Sequence, residues 1–140
     1  MPDDSLPNTR LEYVYRDGSN YKSWGSVVFS GAITDDLLRR LLAVLESGEF
    51  LIAGQVRLPE VFPESWPQYA DDHCWHAFVD VELTNDTPDD EHARPIEMFV
   101  REVERAAADG WRVFDPLDRR NHLGPLAANN RSSRGAATSK

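Results

Sequence analysis

The alternation of apolar and polar residues in the range 75–84 constrains the fold more than any other feature of the sequence. Every second residue is apolar, and these residues are Trp75, Ala77, Val79, Val81 and Leu83. The positions between them are His76, Phe78, Asp80, Glu82 and Thr84. Because successive side chains of a strand point to opposite faces, this pattern predicts a strand with one apolar and one solvated face. Such strands are typical of an antiparallel sheet that is covered on one side.

Two amphipathic helices are predicted to cover that sheet. We expect the first from Asp35 to Ser47, with Thr34 as its N-cap and Gly48 just after its end. Its apolar residues recur at helical spacing, and they are Leu37, Leu38, Leu41, Leu42 and Leu45. The second helix is predicted to begin at Pro95 and to end at Gly110. Its apolar stripe consists of Ile96, Phe99, Val100, Val103 and Ala107.

The remaining strands complete a mixed fold. Leu11–Arg16 and Tyr21–Ser30 flank an Asp-Gly turn and predict an N-terminal hairpin. Phe50–Val56 is a short continuous apolar run, which predicts a buried strand. Trp111–Phe114 is interpreted as either a short last strand or a packed coil. The order β-β-α-β-β-α favours an α+β two-layer sandwich, with two helices on one face of a small antiparallel sheet. The strand order stays open.

The charge distribution predicts one domain between two loose ends. Residues 1–9 are interpreted as a flexible arm, residues 10–117 as the domain, and residues 118–140 as a flexible basic tail. Residues 1–117 hold 10 Lys and Arg against 23 Asp and Glu, a net charge of −13. Residues 118–140 carry five basic residues against one aspartate, a net charge of +4. Apolar residues make up 41% of the chain, enough for one core.

These properties exclude several classes of function. A domain of this charge repels phosphate backbones, so we expect no nucleic-acid binding by the domain itself, whereas a basic protein partner would be attracted. One cysteine allows no intrachain disulfide. The N-terminus has no signal-peptide pattern, and no apolar run is long enough to span a bilayer. The sequence therefore predicts a soluble, cytoplasmic protein without membrane contact.

The stretch YADDHCWHAF (69–78) concentrates metal-binding side chains. Asp72, His73, Cys74 and His76 are the candidate ligands for zinc or another divalent metal. Established zinc spacings are absent, and alternate strand positions would separate His73 from His76. We therefore interpret these residues as the start of a strand and expect no cofactor. Cys74 is interpreted as a buried residue rather than a nucleophile, because neighbouring strand side chains diverge from it.

The stretch YRDGSNYKSW (15–24) is the second concentration of functional side chains. It interleaves aromatic and charged residues around the hairpin turn, a composition that is typical of protein-binding hot spots. A long proline-rich loop follows Val56 and carries the two aromatic candidates Trp66 and Tyr69. The candidate binding residues are Arg16, Asp17, Asn20, Tyr21, Lys22, Trp66, Tyr69, Trp75 and His76. The competing interpretation gives the hairpin residues a purely structural role.

The strings YRDGSNYK (15–22) and WHAF (75–78) resemble those of a family of small bacterial proteins. Its members show a Y-R-D-x-x-N-Y-K hairpin near the N-terminus and a W-H-x-F motif further on. The resemblance covers roughly residues 11–115. It implies a site that includes the hairpin residues together with Trp75 and His76, but it implies no particular reaction.

The sequence thus favours a small acidic interaction protein without enzymatic activity, of an immunity or adaptor type, that binds a protein partner. The alternative is a metal-dependent or acid–base enzyme with its site near His73 and His76. The phosphate-binding and nucleophile motifs of common enzyme classes are absent. The sequence indicates neither the partner nor the oligomeric state.

Overall fold

A computed structural model describes residues 7–17, 21–63, 66 and 73–118. Within these ranges the chain forms an α+β fold. The strands are β1 (Asn8–Arg16), β2 (Lys22–Phe29), β3 (Phe50–Leu51) and β4 (His76–Thr84). The helices are α1 (Asp35–Val44), a 3-10 helix (Ala53–Val56) and α2 (Ile96–Asp109). The start of β1 includes Asn8 and Thr9, which were predicted to belong to the arm. The rest of the arm up to residue 6, and the tail from residue 119, lie outside the described residues.

The four strands form one antiparallel sheet in the order β2-β1-β4-β3. The alternate residues of β1 and β2 that point to one face, Leu11, Tyr13, Val27 and Phe29, belong to the hydrophobic core. Both helices contribute to the same core through Leu37, Leu41, Ile96, Phe99, Val100 and Val103. Neither α1 nor α2, the α-helices of the described ranges, is long and apolar enough to cross a lipid bilayer.

The predicted start of α1 and the predicted end of α2 are confirmed, whereas α2 begins at Ile96, one residue after the predicted Pro95. The Thr34 side chain accepts a hydrogen bond from the Leu37 N–H (3.1 Å), as expected of an N-cap. Pro95 precedes α2, and Gly110 ends it with a φ of 99°. The end of α1 was predicted wrongly, because the helix stops at Val44 rather than at Ser47. The Glu46 N–H instead donates to the Phe50 carbonyl (2.8 Å), which turns the chain into β3.

The predicted strand Phe50–Val56 is also wrong beyond its first two residues. Only Phe50 and Leu51 pair with β4, and Ala53–Val56 forms the 3-10 helix. Arg57, with a φ of 60°, ends that helix in the left-handed region. This helical turn buries both Ala53 and Val56 in the core. In a straight strand, residues three positions apart would point to opposite faces of the sheet. Residues 111–114 form no strand and correspond to the packed-coil alternative.

A β-bulge changes the predicted faces of β4. Glu12 pairs with Asp80 and the next β1 residue, Tyr13, pairs with Phe78, so Val79 has no partner in β1. Before Val79 the even-numbered residues of β4 therefore point to the core, and after it the odd-numbered residues do. His76 is fully buried, whereas it was predicted to face solvent, and Phe78 packs against the core. Val79, predicted to be apolar and covered, is exposed.

Candidate functional site

The two histidines of the predicted site lie in a cluster of rings between β1, the start of β4 and the proline-rich loop. This aromatic cluster consists of Tyr13, Tyr15, Phe62, Trp66, His73 and His76. Tyr15 is its centre, with ring centroids 5.0 Å from His73, 5.5 Å from His76 and 6.2 Å from Trp66. Phe62 and Trp66 stack in parallel at 3.6 Å. The cluster joins residues that are far apart in sequence and holds Phe62, Trp66 and His73 against Tyr15 of β1.

Both ring nitrogens of His73 are engaged by backbone groups. The Trp75 N–H donates to Nδ1 (3.0 Å), so Nδ1 carries no proton. The other nitrogen, Nε2, therefore carries the proton and donates to the Arg16 carbonyl (2.7 Å). The His73 carbonyl in turn accepts from the hydroxyl of Tyr15 (2.7 Å) and from Nε1 of Trp66 (3.3 Å). His73 thus joins the loop to the end of β1, and neither nitrogen is available to a metal without loss of a hydrogen bond.

His76 is held as a neutral ring. Its Nε2 accepts a hydrogen bond from the Val61 N–H (3.0 Å), which assigns the proton to Nδ1. Nδ1 is buried and has no hydrogen-bond partner within the described residues. Burial disfavours the charged form and lowers the pKa of His76 to about 4, against smaller opposing effects of Glu60 and the Cys74 backbone. The ring is therefore a structural acceptor rather than a general base poised near neutral pH.

Cys74 and Trp75 also have packing roles. The thiol of Cys74 is buried, and its Sγ accepts a hydrogen bond from the Phe114 N–H (3.4 Å). Trp75 is half-buried, with its ring 6.4 Å from the rings of Phe50 and Trp111. Within the described ranges, no group of three or more His, Cys, Asp or Glu side chains could hold a metal ion. Asp72, the fourth candidate ligand, lies outside those ranges.

The predicted hairpin residues separate into structural and exposed groups. Asp17 closes the hairpin, because its carboxylate accepts from the Tyr21 N–H (2.8 Å) and its own N–H donates to the Tyr21 carbonyl (3.0 Å). Arg16 and Lys22 pair directly across β1 and β2, and both are exposed. The Tyr21 side chain is 62% exposed. Asn20 and Tyr69, the other candidate binding residues, lie outside the described residues.

The sheet face opposite the core carries a different set of side chains, which were not among the predicted binding residues. We call it the outer face, and its residues on β1 and β2 include Arg10, Glu12, Val14, Trp24 and Ser26. From β4 it receives Asp80, opposite Glu12, and Glu82, opposite Arg10. Arg10 donates to Glu82 (2.9 Å) and also contacts Asp86. Trp24 is 58% exposed beside the buried Val14, an unusual position for so large a ring.

A buried arginine was also missed. Arg94 is 2% exposed and donates to both carboxylate oxygens of Asp90 (2.9 Å each). It also donates to Glu102 (2.9 Å) and to the carbonyls of Val56 (2.7 Å) and Arg57 (3.0 Å). Its guanidinium lies 5.5 and 5.3 Å from two phenylalanine rings of the core. The spacing of four between Asp90 and Arg94 was the available signal, although it normally indicates an exposed helical pair.

The structure therefore brings the predicted histidines together with Trp66 and the Arg16 backbone, while it places Tyr21 and Lys22 on the exposed hairpin. Comparison of the chain with protein-family models, with curated proteins and with solved structures found no match. The resemblance suggested by the two motifs thus stays a prediction.

Proposed function

We propose that this chain is a non-enzymatic protein-binding module, and that its outer face binds a basic protein partner. The proposal retains the predicted two-layer sandwich, in which both helices cover one face of the sheet and leave the other face for binding. One observation carries it, namely that Trp24 is exposed on the same face as the facing carboxylates Glu12 and Asp80.

The cross-strand pair of carboxylates supports binding rather than stability. Like charges directly opposite each other in a sheet are destabilising. Arg10 contacts Glu82 and Asp86, but within the described ranges Glu12 has no ion pair. A cationic side chain from a partner would remove this repulsion. Binding of the partner would thus relieve a charge repulsion that destabilises the free protein.

Trp24 supplies the apolar part of such an interface. Tryptophan is enriched among interface residues whose truncation costs about 2 kcal/mol or more. Trp24 is the cross-strand partner of Val14, so its side chain lies on the same face of the sheet as the two carboxylates. An aromatic anchor surrounded by charge is the arrangement of an interface with an apolar centre and a polar rim. The net charge of the chain, −9, would steer a basic partner toward it.

The enzyme alternative has less support. The nitrogens of His73 are both occupied by backbone groups, and Nε2 of His76 accepts from Val61. A catalytic base must instead reach a substrate proton, directly or through one water. Both rings instead pack against Tyr15, and His76 also packs against Phe62.

The experiment is a capture assay with the full chain at low salt, followed by identification of each retained protein. Trp24→Ala and Glu12→Gln are the test variants, and Val113→Ala and Glu46→Gln are controls for an exposed apolar and an exposed acidic side chain elsewhere. We expect one basic protein to be retained by the wild type and by both controls. Its apparent Kd should rise at least about thirtyfold in Trp24→Ala, which corresponds to about 2 kcal/mol.

Two results would contradict the proposal. The first is that no basic protein is retained at low salt. The second is a partner that both test variants bind as well as the wild type, because its contacts would then lie away from the outer face. A repeat at high salt should weaken capture, since contacts between exposed charges are screened.

A further inference from the structure

A groove of about 420 Å³ lies between α2 and the 3-10 helix, on a different surface from the outer face. Its charged lining consists of Arg57, Arg101, Arg105, Arg112, Glu102 and Asp109. The α2 residues among these recur at spacings of three and four, so they form one stripe of the helix. Four arginines thus surround one groove in a chain whose net charge is −9.

The carboxylates of the groove do not neutralise its arginines. Glu102 is already bound by two arginines, namely Arg57 of the groove, which donates through Nε and Nη2 (2.8 and 2.9 Å), and the buried Arg94, which donates through Nη1 (2.9 Å). Arg101 has an exposed pair with Glu97, which contributes little in water. Neither Arg105 nor Arg112 has an ion pair within the described part of the chain. Asp109, the second carboxylate of the lining, likewise has no ion pair within the described residues, so four arginines and two carboxylates give the groove an excess of positive charge.

Two positions of the groove are fixed by hydrogen bonds. Gln55, on the 3-10 helix, accepts from the Arg112 N–H (2.8 Å) and donates to the Gly110 carbonyl (3.1 Å). This pair of bonds joins the residues after α2 to the opposite wall. On that wall Arg57 is held by the two bonds to Glu102. The distance between the two walls is thus set by the fold before any ligand arrives, which lowers the entropic cost of binding.

We propose that this groove binds a small phosphorylated molecule, with Arg105 and Arg112 contacting the phosphate. The planar guanidinium matches two phosphate oxygens at once, and charge-assisted bonds of this kind are strong. The volume lies within the range of small-molecule sites. A long polyanion would instead extend from the groove toward the exposed carboxylates of α2, such as Glu97, and would be repelled there. The favoured ligand is therefore compact.

The test uses the full chain and inorganic pyrophosphate as the probe, titrated by calorimetry at physiological ionic strength. We expect saturable binding to the wild type. Arg105→Gln and Arg112→Gln should each raise the Kd about ten- to hundredfold, as expected for the loss of a hydrogen bond to a charged group. Arg39→Gln is the matched control, because Arg39 is an exposed arginine with an ion pair on α1, and its Kd should equal that of the wild type.

Backbone amide resonances provide a second measurement that depends on no variant. Pyrophosphate should shift the resonances of Gln55, Arg105 and Arg112. Shifts centred on Arg16 and Lys22, an exposed cationic pair away from the groove, would overturn the proposal. It would also be overturned by the absence of saturable binding, or by equal affinity in the Arg105→Gln/Arg112→Gln double variant. A short single-stranded oligonucleotide that binds more tightly than pyrophosphate through the same arginines would identify a nucleic-acid surface instead.

Discussion

The ring of His76 and the backbone of Val61 are joined by a hydrogen bond of 3.0 Å, in which Nε2 is the acceptor. This bond connects the first residue of β4 to the segment after the 3-10 helix. Phe62 follows Val61 and packs its ring edge-on against His76 at 4.8 Å. The neutral imidazole thus supports both a backbone group and an aromatic ring. Protonation at Nε2 would remove the acceptor and place a charge among apolar rings.

The first prediction concerns acid pH. The pKa of His76 is about 4 in the folded protein and 6.5 in the unfolded chain. Between these values the unfolded chain binds the additional proton, so the free energy of unfolding falls as the pH decreases. The loss is complete below pH 4 and amounts to about 3 kcal/mol from this group. Urea unfolding monitored by tryptophan fluorescence between pH 7 and pH 4 measures it.

His76→Gln is the matched variant for that experiment, because an amide oxygen can accept from Val61 but does not titrate. We expect its free energy of unfolding to vary less with pH over the same window than that of the wild type. His92→Gln is the control, because His92 lies on the surface loop before α2. If His76→Gln and the wild type show parallel pH profiles, the titration of His76 is not the cause.

The second prediction concerns Arg94. Replacement by methionine leaves Asp90 as a buried carboxylate without its cation, and we expect a loss of about 3–5 kcal/mol in the free energy of unfolding. Arg40→Met is the control, since its pair with Glu104 (2.8 Å) is about one-third exposed and is worth at most about 1 kcal/mol. Chemical denaturation of both variants gives the comparison. Equal losses would show that burial of the Arg94 pair carries no additional energy.

The third prediction concerns the close approach of Tyr13 to Gly25. A Cβ atom at Gly25 would lie 2.7 Å from Cζ of Tyr13 and 2.9 Å from Cγ1 of Val61. Gly25→Ala should therefore destabilise the fold by about 1–3 kcal/mol through overpacking. At Gly54 the nearest atom is the mobile end of Glu60 (3.0 Å), so Gly54→Ala should cost less. Thermal unfolding of the two variants compares the two losses of stability. A loss in Gly25→Ala no larger than that in Gly54→Ala would show that the sheet can move to accommodate the additional methyl group.

The fourth prediction separates binding from stability at the outer face. Glu12→Gln removes the repulsion with Asp80 and should raise the free energy of unfolding by about 0.2–1 kcal/mol. The same substitution should weaken capture of the proposed basic partner. An unchanged or lower stability would show that the two carboxylates do not repel each other in the free protein.

Much of the fold could be predicted from local patterns. Thr34 and Gly110 mark helix ends because capping depends on neighbouring residues alone. The errors arose where tertiary contacts determine the local secondary structure. The segment after Leu51 leaves the sheet as a 3-10 helix whose last carbonyl, at Val56, is bound by Arg94, 38 residues later.

The candidate site was harder to predict than the fold. His76 was placed on the solvated face because period-two counting assumes that no residue is inserted between partners. The outer face was missed because the register between Glu12 and Asp80 joins positions 68 residues apart. No local pattern contains that pairing. The basic groove likewise depends on the packing of Gln55 and Arg57 against α2, which the sequence of either segment does not show.

The bulge at Val79 has a consequence for how such a strand changes during evolution. Without this residue, His76, Phe78, Val81 and Leu83 would occupy alternate positions, and Asp80 and Glu82 would follow Ala77 on the opposite face. Val79 therefore corresponds to a single-codon insertion into an otherwise regular strand. A lineage could gain or lose it while the sheet keeps every pair between β1 and β4. A sequence that lacks Val79 would align with this chain across a one-residue gap, and the residues on both sides of the gap would remain equivalent in space.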